Sequence, residues 1–366
     1  MRSPRVARLA LVCAAALAAS AGWRALAASE PRLRHLAVPL WSAPADSRRP
    51  AAVLPDGAAC VTTELAHLPG RITSLLRAPD GLLWIGLFDQ GVYSWDPVTE
   101  PAPRPAGEWL GRQRFVNALA SDGRSIFAAT HEGVAVFGPD GRRGEQAIAA
   151  ETVDALVAVP PPSRAERTDW ILAGTARGLF VLDGSSAAGG VALPITDEGG
   201  GAIRVTALAH SGGEVAIGSP RGVYFVPLAA IYQAVATRAR WAPLVFGAPP
   251  ADTNVVTALT ALEGGVLAGT DDGGVVFVGL DGEVRALRSA DAAANLINPG
   301  AATTLGSVAA IGTQGGGLIR VRAAFPTWPE RPSDWTLPGV SALAGDGADL
   351  LAGGDHGLLI RAACPD

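Results

Sequence analysis

Five side chains raise the first chemical question in this sequence: His131, Asp271, Asp272, Asp355 and His356. Imidazoles and carboxylates together can hold a divalent cation, with water in the remaining positions. Only Asp271-Asp272 and Asp355-His356 are chain neighbours, so spacing alone assembles no metal site. Nucleophile chemistry has less support. The sequence holds no Gly-x-Ser-x-Gly, no phosphate loop and no Cys-x-x-Cys, and Gly315-Gly316-Gly317 leads into no helical pattern. No catalytic residue and no resident cofactor is therefore assigned. His67, His210 and His35 read as ordinary loop or linker residues.

The candidate side chains share a setting. Together with Asp89, Gln90, Glu132, Arg177, Arg221 and Gln314 they occupy short turns between apolar stretches. Those stretches repeat. Short strands ending in Gly-Thr or a variant recur at Trp84-Ile85-Gly86-Leu87, Ala128-Ala129-Thr130, Ala173-Gly174-Thr175, Ile217-Gly218-Ser219, Ala268-Gly269-Thr270, Ile311-Gly312-Thr313 and Ala352-Gly353-Gly354. The anchors at 86, 129, 174, 218, 269, 312 and 353 are spaced by 43, 45, 44, 51, 43 and 41 residues. A period of this length suits a four-stranded propeller blade. Each unit places a β-branched stretch and an Asp-Gly or Gly-Gly turn before the anchor. After it come the polar turn, a glycine (91, 133, 178, 222, 274, 317 or 357) and a third strand. Helical repeats are excluded, since glycine costs about 1 kcal/mol at each helix-interior site.

Ile72-Thr73-Ser74-Leu75, Asp80-Gly81-Leu82-Leu83-Trp84-Ile85-Gly86 and Gly91-Val92-Tyr93-Ser94-Trp95, preceded by Leu68-Pro69-Gly70-Arg71, resemble the two-component-regulator propeller repeat. The first unit matches strongly; the other six lack the tryptophan of the anchor strand. The resemblance covers residues 58–366. It implies an all-β, seven-bladed β-propeller of four-stranded blades, often the periplasmic sensor part of a longer signalling chain. No such extension is read here.

The last unit ends after its third strand, near Ile360-Arg361-Ala362-Ala363-Cys364. An unmatched strand, residues 59–65, precedes the first. Docked on the last blade, it completes the ring and leaves no bare edge. Cys60 and Cys364 then fall at the same side of that blade, which predicts a disulfide with Cα atoms within about 7 Å. Two insertions, residues 160–168 in blade three and 229–240 in blade four, emerge on the opposite face from the polar turns; the second is predicted to form a short helix. Trp84, Trp95 and Trp109 are expected to pack between blades.

Residues 1–27 read as an export signal. Arg2, Arg5 and Arg8 precede an uncharged apolar run from Leu9 to Gly22, and Ala25-Leu26-Ala27 offers a cleavage site. That run is shorter than the roughly 20 residues a membrane span needs. Residues 28–57, with five prolines, read as an extended linker. Losing the signal removes four arginines and no acids, and moves the formal net charge from −5 to −9. An acidic chain without a basic run argues against nucleic acid. The expected protein is periplasmic or secreted, with no membrane span after signal removal.

The leading functional expectation is a non-catalytic module that senses or binds an envelope protein, peptide or glycan at the polar turns. Convergent polar groups at a channel mouth are what a ligand site needs. Two alternatives stay open. One is a propeller enzyme, a lyase resembling streptogramin lyase or a metal-dependent hydrolase with a cation in the channel. The other is a structural subunit of an envelope complex.

Overall fold

The anchor glycines are sites of close approach between blades. A Cβ at Gly174 would lie 2.5 Å from Cγ1 of Val205, and one at Gly269 would lie 2.4 Å from Cγ2 of Ile297. No real Cβ tolerates such distances, so glycine lets the next blade's inner strand settle onto the sheet. The residues that settle on the six anchor glycines are Ile72, Val116, Val205, Val256, Ile297 and Val340, all fully buried. The hydroxyl after the anchor has a second task. Thr130, Thr175, Ser219, Thr270 and Thr313 each donate to the carbonyl of the glycine that closes the following turn. Gly-Thr is thus a packing contact and a turn clamp side by side.

The structure, a computed structural model, describes residues 56–57, 59–138, 141, 143–149, 151–163, 168–182, 190–197, 200–237, 244–246, 255–322, 331–332 and 335–364. The export signal and nearly all of the linker lie outside these residues. The chain forms a seven-bladed β-propeller on a four-stranded plan. Blade one comprises Ile72–Arg77, Leu83–Leu87, Gly91–Trp95 and Arg104–Pro105, each antiparallel to the next. The inner strands of the other blades are Val116–Ser121, Val153–Val159, Ala207–Ser211, Val256–Leu262, Ile297–Leu305 and Val340–Asp346. They contact one another in chain order, and Val340–Asp346 contacts Ile72–Arg77, so the ring is closed. Second strands such as Trp170–Thr175 are buried along their whole length because a neighbouring blade covers each face.

The seam forms as expected, with the outer strand at Val61–His67, two residues later than 59–65. It pairs with Leu358–Ala363 in the order Val61↔Ala363 to His67↔Leu358. Cys60 and Cys364, just beyond these pairs, are disulfide-bonded with Cα atoms 4.3 Å apart.

Three details depart from a uniform plan. Among the described residues, blades four and six show three strands each. Blade three carries a fifth, Leu244–Phe246, parallel to Ile195–Asp197. The reason is the insertion. Leu228–Thr237 is a helix that buries Leu228, Ile231 and Ala234, one stripe at three-residue spacing, and the chain after it returns beside blade three. Asp56–Gly57, at the end of the linker segment, pairs in parallel with Arg331–Pro332. The two insertions meet: the Tyr232 hydroxyl donates to the Pro160 carbonyl, and its ring stands edge-on to Trp170 at 5.3 Å. No helix among the described residues is long and apolar enough to cross a membrane.

Candidate functional site

The residue after each buried β-branched residue at the start of a blade faces the neighbouring blade. Thr73 donates to the Val116 carbonyl at 2.7 Å, and Asn117 to Val153 at 2.8 Å. Thr206 donates to Val256 at 2.6 Å, Thr257 to Ile297 at 3.2 Å, Asn298 to Val340 at 2.8 Å and Ser341 to Ile72 at 2.6 Å. Six blades are latched to the next by a side-chain donor on a backbone acceptor.

Blade three breaks the series. Its residue is Asp154, and a carboxylate has no hydrogen to give. Asp154 instead accepts two hydrogen bonds from Arg204, Nε to Oδ2 at 2.8 Å and Nη2 to Oδ1 at 3.0 Å. Such a paired fork is the strong form of this contact.

Beside this break lies an aromatic step. His131 stacks on Phe115 with centroids 5.2 Å apart and planes 19° from parallel. Phe88 meets Phe115 edge-on at 5.0 Å and remains 44% exposed. Burial lowers the His131 pKa; Arg112 and Arg204 lower it further, and Asp154 opposes them. The ring is therefore neutral at pH 7, with two guanidiniums and one carboxylate acting on it.

Ion pairs fill much of the rest of this face. Arg114 meets Asp89 at 2.5 Å, Arg71 meets Asp355 at 3.0 Å and Arg221 meets Asp197 at 2.6 Å. Arg177 grips Glu151 through Nε at 3.1 Å and Nη2 at 2.9 Å, and this hydrogen bonding holds the Glu151 carboxyl below its usual pKa.

The eleven turn residues expected from sequence are spread over all seven blades. Asp89 sits at φ +72°, a left-handed conformation usually left to glycine, and Gln90 follows it, exposed. Glu132 is fixed by its backbone N–H on Thr130 Oγ1. The N–H groups of Asp271 and Gln314 bond to the carbonyls of Val255 and Leu296, and the Asp272 carbonyl accepts from Arg288. His356 is exposed. Asp89, Arg177, Arg221 and Asp355 are joined to partners, whereas His131, Asp271 and His356 belong to blades two, five and seven. Among the described residues no three His, Cys, Asp or Glu side chains converge as a cation site requires.

His210, read as a loop residue, lies within the inner strand Ala207–Ser211 because that strand runs to the tight turn at Gly212. His67 ends the seam strand. Trp84 and Trp109 pack on Phe137 at 5.1 and 5.8 Å, between blades one and two. Sequence reading missed Phe88, Arg112, Phe115, Asp154 and Arg204. A signal existed for Asp154: each inner strand opens with a β-branched residue followed by Thr, Asn or Ser, except Val153-Asp154.

No protein-family model and no curated protein matches the chain by sequence. Solved structures do match by shape. The extracellular domain assigned to the hybrid two component system BT3049 from B. thetaiotaomicron aligns with TM-score 0.60 and 14% identity, over 84% of this chain and 42% of that one. The corresponding domain of BT4673 from the same organism aligns with TM-score 0.58 and 13% identity, over 83% and 39%. What is shared is the propeller fold. The chain spans about two fifths of those domains. The computationally designed Ika8 protein aligns with TM-score 0.51 and 17% identity, over 81% of this chain and 98% of that one. The fold that the resemblance in blade one implies is thus the fold these structures share.

Proposed function

We propose that the chain is an exported, non-catalytic binding module of the cell envelope, and that its recognition surface is the turn face. One observation carries this reading. Six blades satisfy the inner latch, and the single exception lies beside the aromatic step and between two ion-paired turns. Repeats break their own rule where function asks for something else. Membership of the fold shared with extracellular domains of two component systems supports a sensing role, with a peptide, glycan or envelope protein as partner and no cofactor. The enzyme reading needs an acid partner for His131 or His356. The carboxylate near His131, Asp154, is already committed to Arg204 by two hydrogen bonds.

The test compares three proteins after incubation with envelope extract: the native chain, His131→Ala/Asp271→Ala/His356→Ala, and a deletion of residues 229–240. Mass spectrometry then identifies what co-elutes with each. Loss of the bound species in the triple variant, with an unchanged melting temperature, supports the turn face. Survival there with loss in the deletion moves the function to the insertion face.

A further inference from the structure

We infer that the step formed by Phe88, Phe115 and His131, flanked by Arg112 and Arg204, is a subsite for an organic monoanion whose carboxylate lies beside a flat apolar ring. This inference rests on the turn-face reading and names the ligand chemistry of one part of that face.

Phe115 and His131 are layered nearly parallel, and Phe88 stands against them with much of its ring in solvent. Leu110, from the same lead-in loop as Phe115, is 74% exposed. Exposed apolar side chains rimmed by polar groups mark interaction sites. Arg114 already lies over the Phe115 ring at 5.5 Å, so a flat ring finds its contact area and an edge-on or offset aromatic partner at the exposed Phe88.

The charges define the rest of the ligand. Arg204 spends Nε and Nη2 on Asp154, which leaves Nη1 outside that pair. Arg112 is exposed, on the single helical turn Gly111–Arg114. Arg114 is balanced by Asp89. Glu132 directs its carboxylate toward Gly111, where Oε2 would be 3.8 Å from a Cβ. Arg204, with Nη1 outside its pair, and Arg112, whose carbonyl accepts from the Phe115 N–H, are thus the cationic groups beside the step that a ligand carboxylate can meet. An anion there favours the imidazolium, so affinity rises as pH falls and His131 gains its proton.

The probes are phenylacetate, its neutral amide phenylacetamide, acetate and inorganic phosphate, titrated calorimetrically into the full chain. Phenylacetate is expected to bind saturably. The amide and acetate should each bind about tenfold more weakly, the loss of one charge-assisted contact or of the ring. Arg112→Gln and Phe88→Ala, both at exposed positions, should each weaken phenylacetate roughly 3- to 10-fold without moving the melting temperature. Between about pH 7.5 and 5.5 affinity should rise, and His131→Gln should flatten that rise. Equal binding of acid and amide, equal binding of phosphate, indifference to both substitutions, or no binding at all overturns the inference. If species from envelope extract still bind the turn face in that event, the broader reading survives and only this ligand class is lost.

Discussion

Asp154 and Arg204 form a two-point pair at the one inner-strand position where the other six blades place a hydrogen-bond donor. The Arg204 side chain is 53% exposed and that of Asp154 15%, so the pair sits at the surface rather than in the core. An ion pair this accessible contributes only about 0–1 kcal/mol. A latch on a backbone carbonyl is worth about as much, and its loss leaves a buried acceptor unsatisfied at about 1–3 kcal/mol. Blade three has therefore exchanged a structural contact for a charged one at no evident gain in stability.

Asp154→Asn should restore the latch, because Asn117 and Asn298 perform it with the same side chain. The expected result is equal or higher stability, by up to ~1 kcal/mol, with weakened ligand binding. The converse change, Asn298→Asp, removes a donor shared by the Thr313 and Val340 carbonyls but keeps, as a charged contact, the oxygen that accepts from Arg71 Nη2 at 2.8 Å, and should cost about 1–3 kcal/mol. Urea midpoints of both variants check the pair. A destabilised Asp154→Asn protein would show that the carboxylate is the structural choice.

Gly174→Ala puts a methyl group 2.5 Å from Cγ1 of Val205. Overpacking of this kind should cost about 1–3 kcal/mol. Val205→Ala opens space beneath it, so the double variant should recover part of the loss, a coupling of about 0.5 kcal/mol or more. Strict additivity in a double-mutant cycle would mean that the glycine serves some purpose other than blade contact.

The disulfide between Cys60 and Cys364 closes a loop of 304 residues. Loop-closure entropy gives roughly 5–6 kcal/mol as an upper bound on its contribution. Cys60→Ser/Cys364→Ser should lower the unfolding midpoint, and amide exchange should quicken first in Val61–His67, the strand held on blade seven beside the bond. Uniform exchange across all blades would contradict the seam as the weak point.

Two carboxylates titrate in opposite senses. Hydrogen bonding to Arg177 lowers the Glu151 pKa, so its stabilising effect is present above the unfolded value and fades as pH falls through the lower folded value. Burial, then repulsion from Asp122, raises the pKa of Asp169. That group opposes folding once ionised, and the effect vanishes below its unfolded pKa. Asp169→Asn should thus stabilise the protein at pH 7 and make little difference near pH 3, read from melting temperatures across that range. A destabilising effect at pH 7 would reverse the assignment.

Much of the fold was legible because its cause is local and repeated. Gly-Thr anchors, Asp-Gly turns and the β-branched residue opening each inner strand state the packing rule in short stretches of chain. The seam was legible as well, since blade seven lacks an outer strand after Ala363 and two cysteines flank the gap. The pairing of Leu244–Phe246 with Ile195–Asp197 was not, because its partner is chosen by where the helix Leu228–Thr237 delivers the chain. The site was read in part. His131 was found as a turn residue, but Phe88 and Phe115 look like ordinary apolar residues until the fold brings blades one and two together. Asp154 was visible only as the odd member of seven dyads, a comparison that needs the blades aligned at their first residue.

Recognition at the turn face can be read by amide hydrogen exchange with and without envelope extract. New protection is expected at residues 88–91, 110–115, 131–132 and 151–154, with none at the insertion face. Protection confined to residues 160–163 and 228–237 would contradict recognition at the turn face.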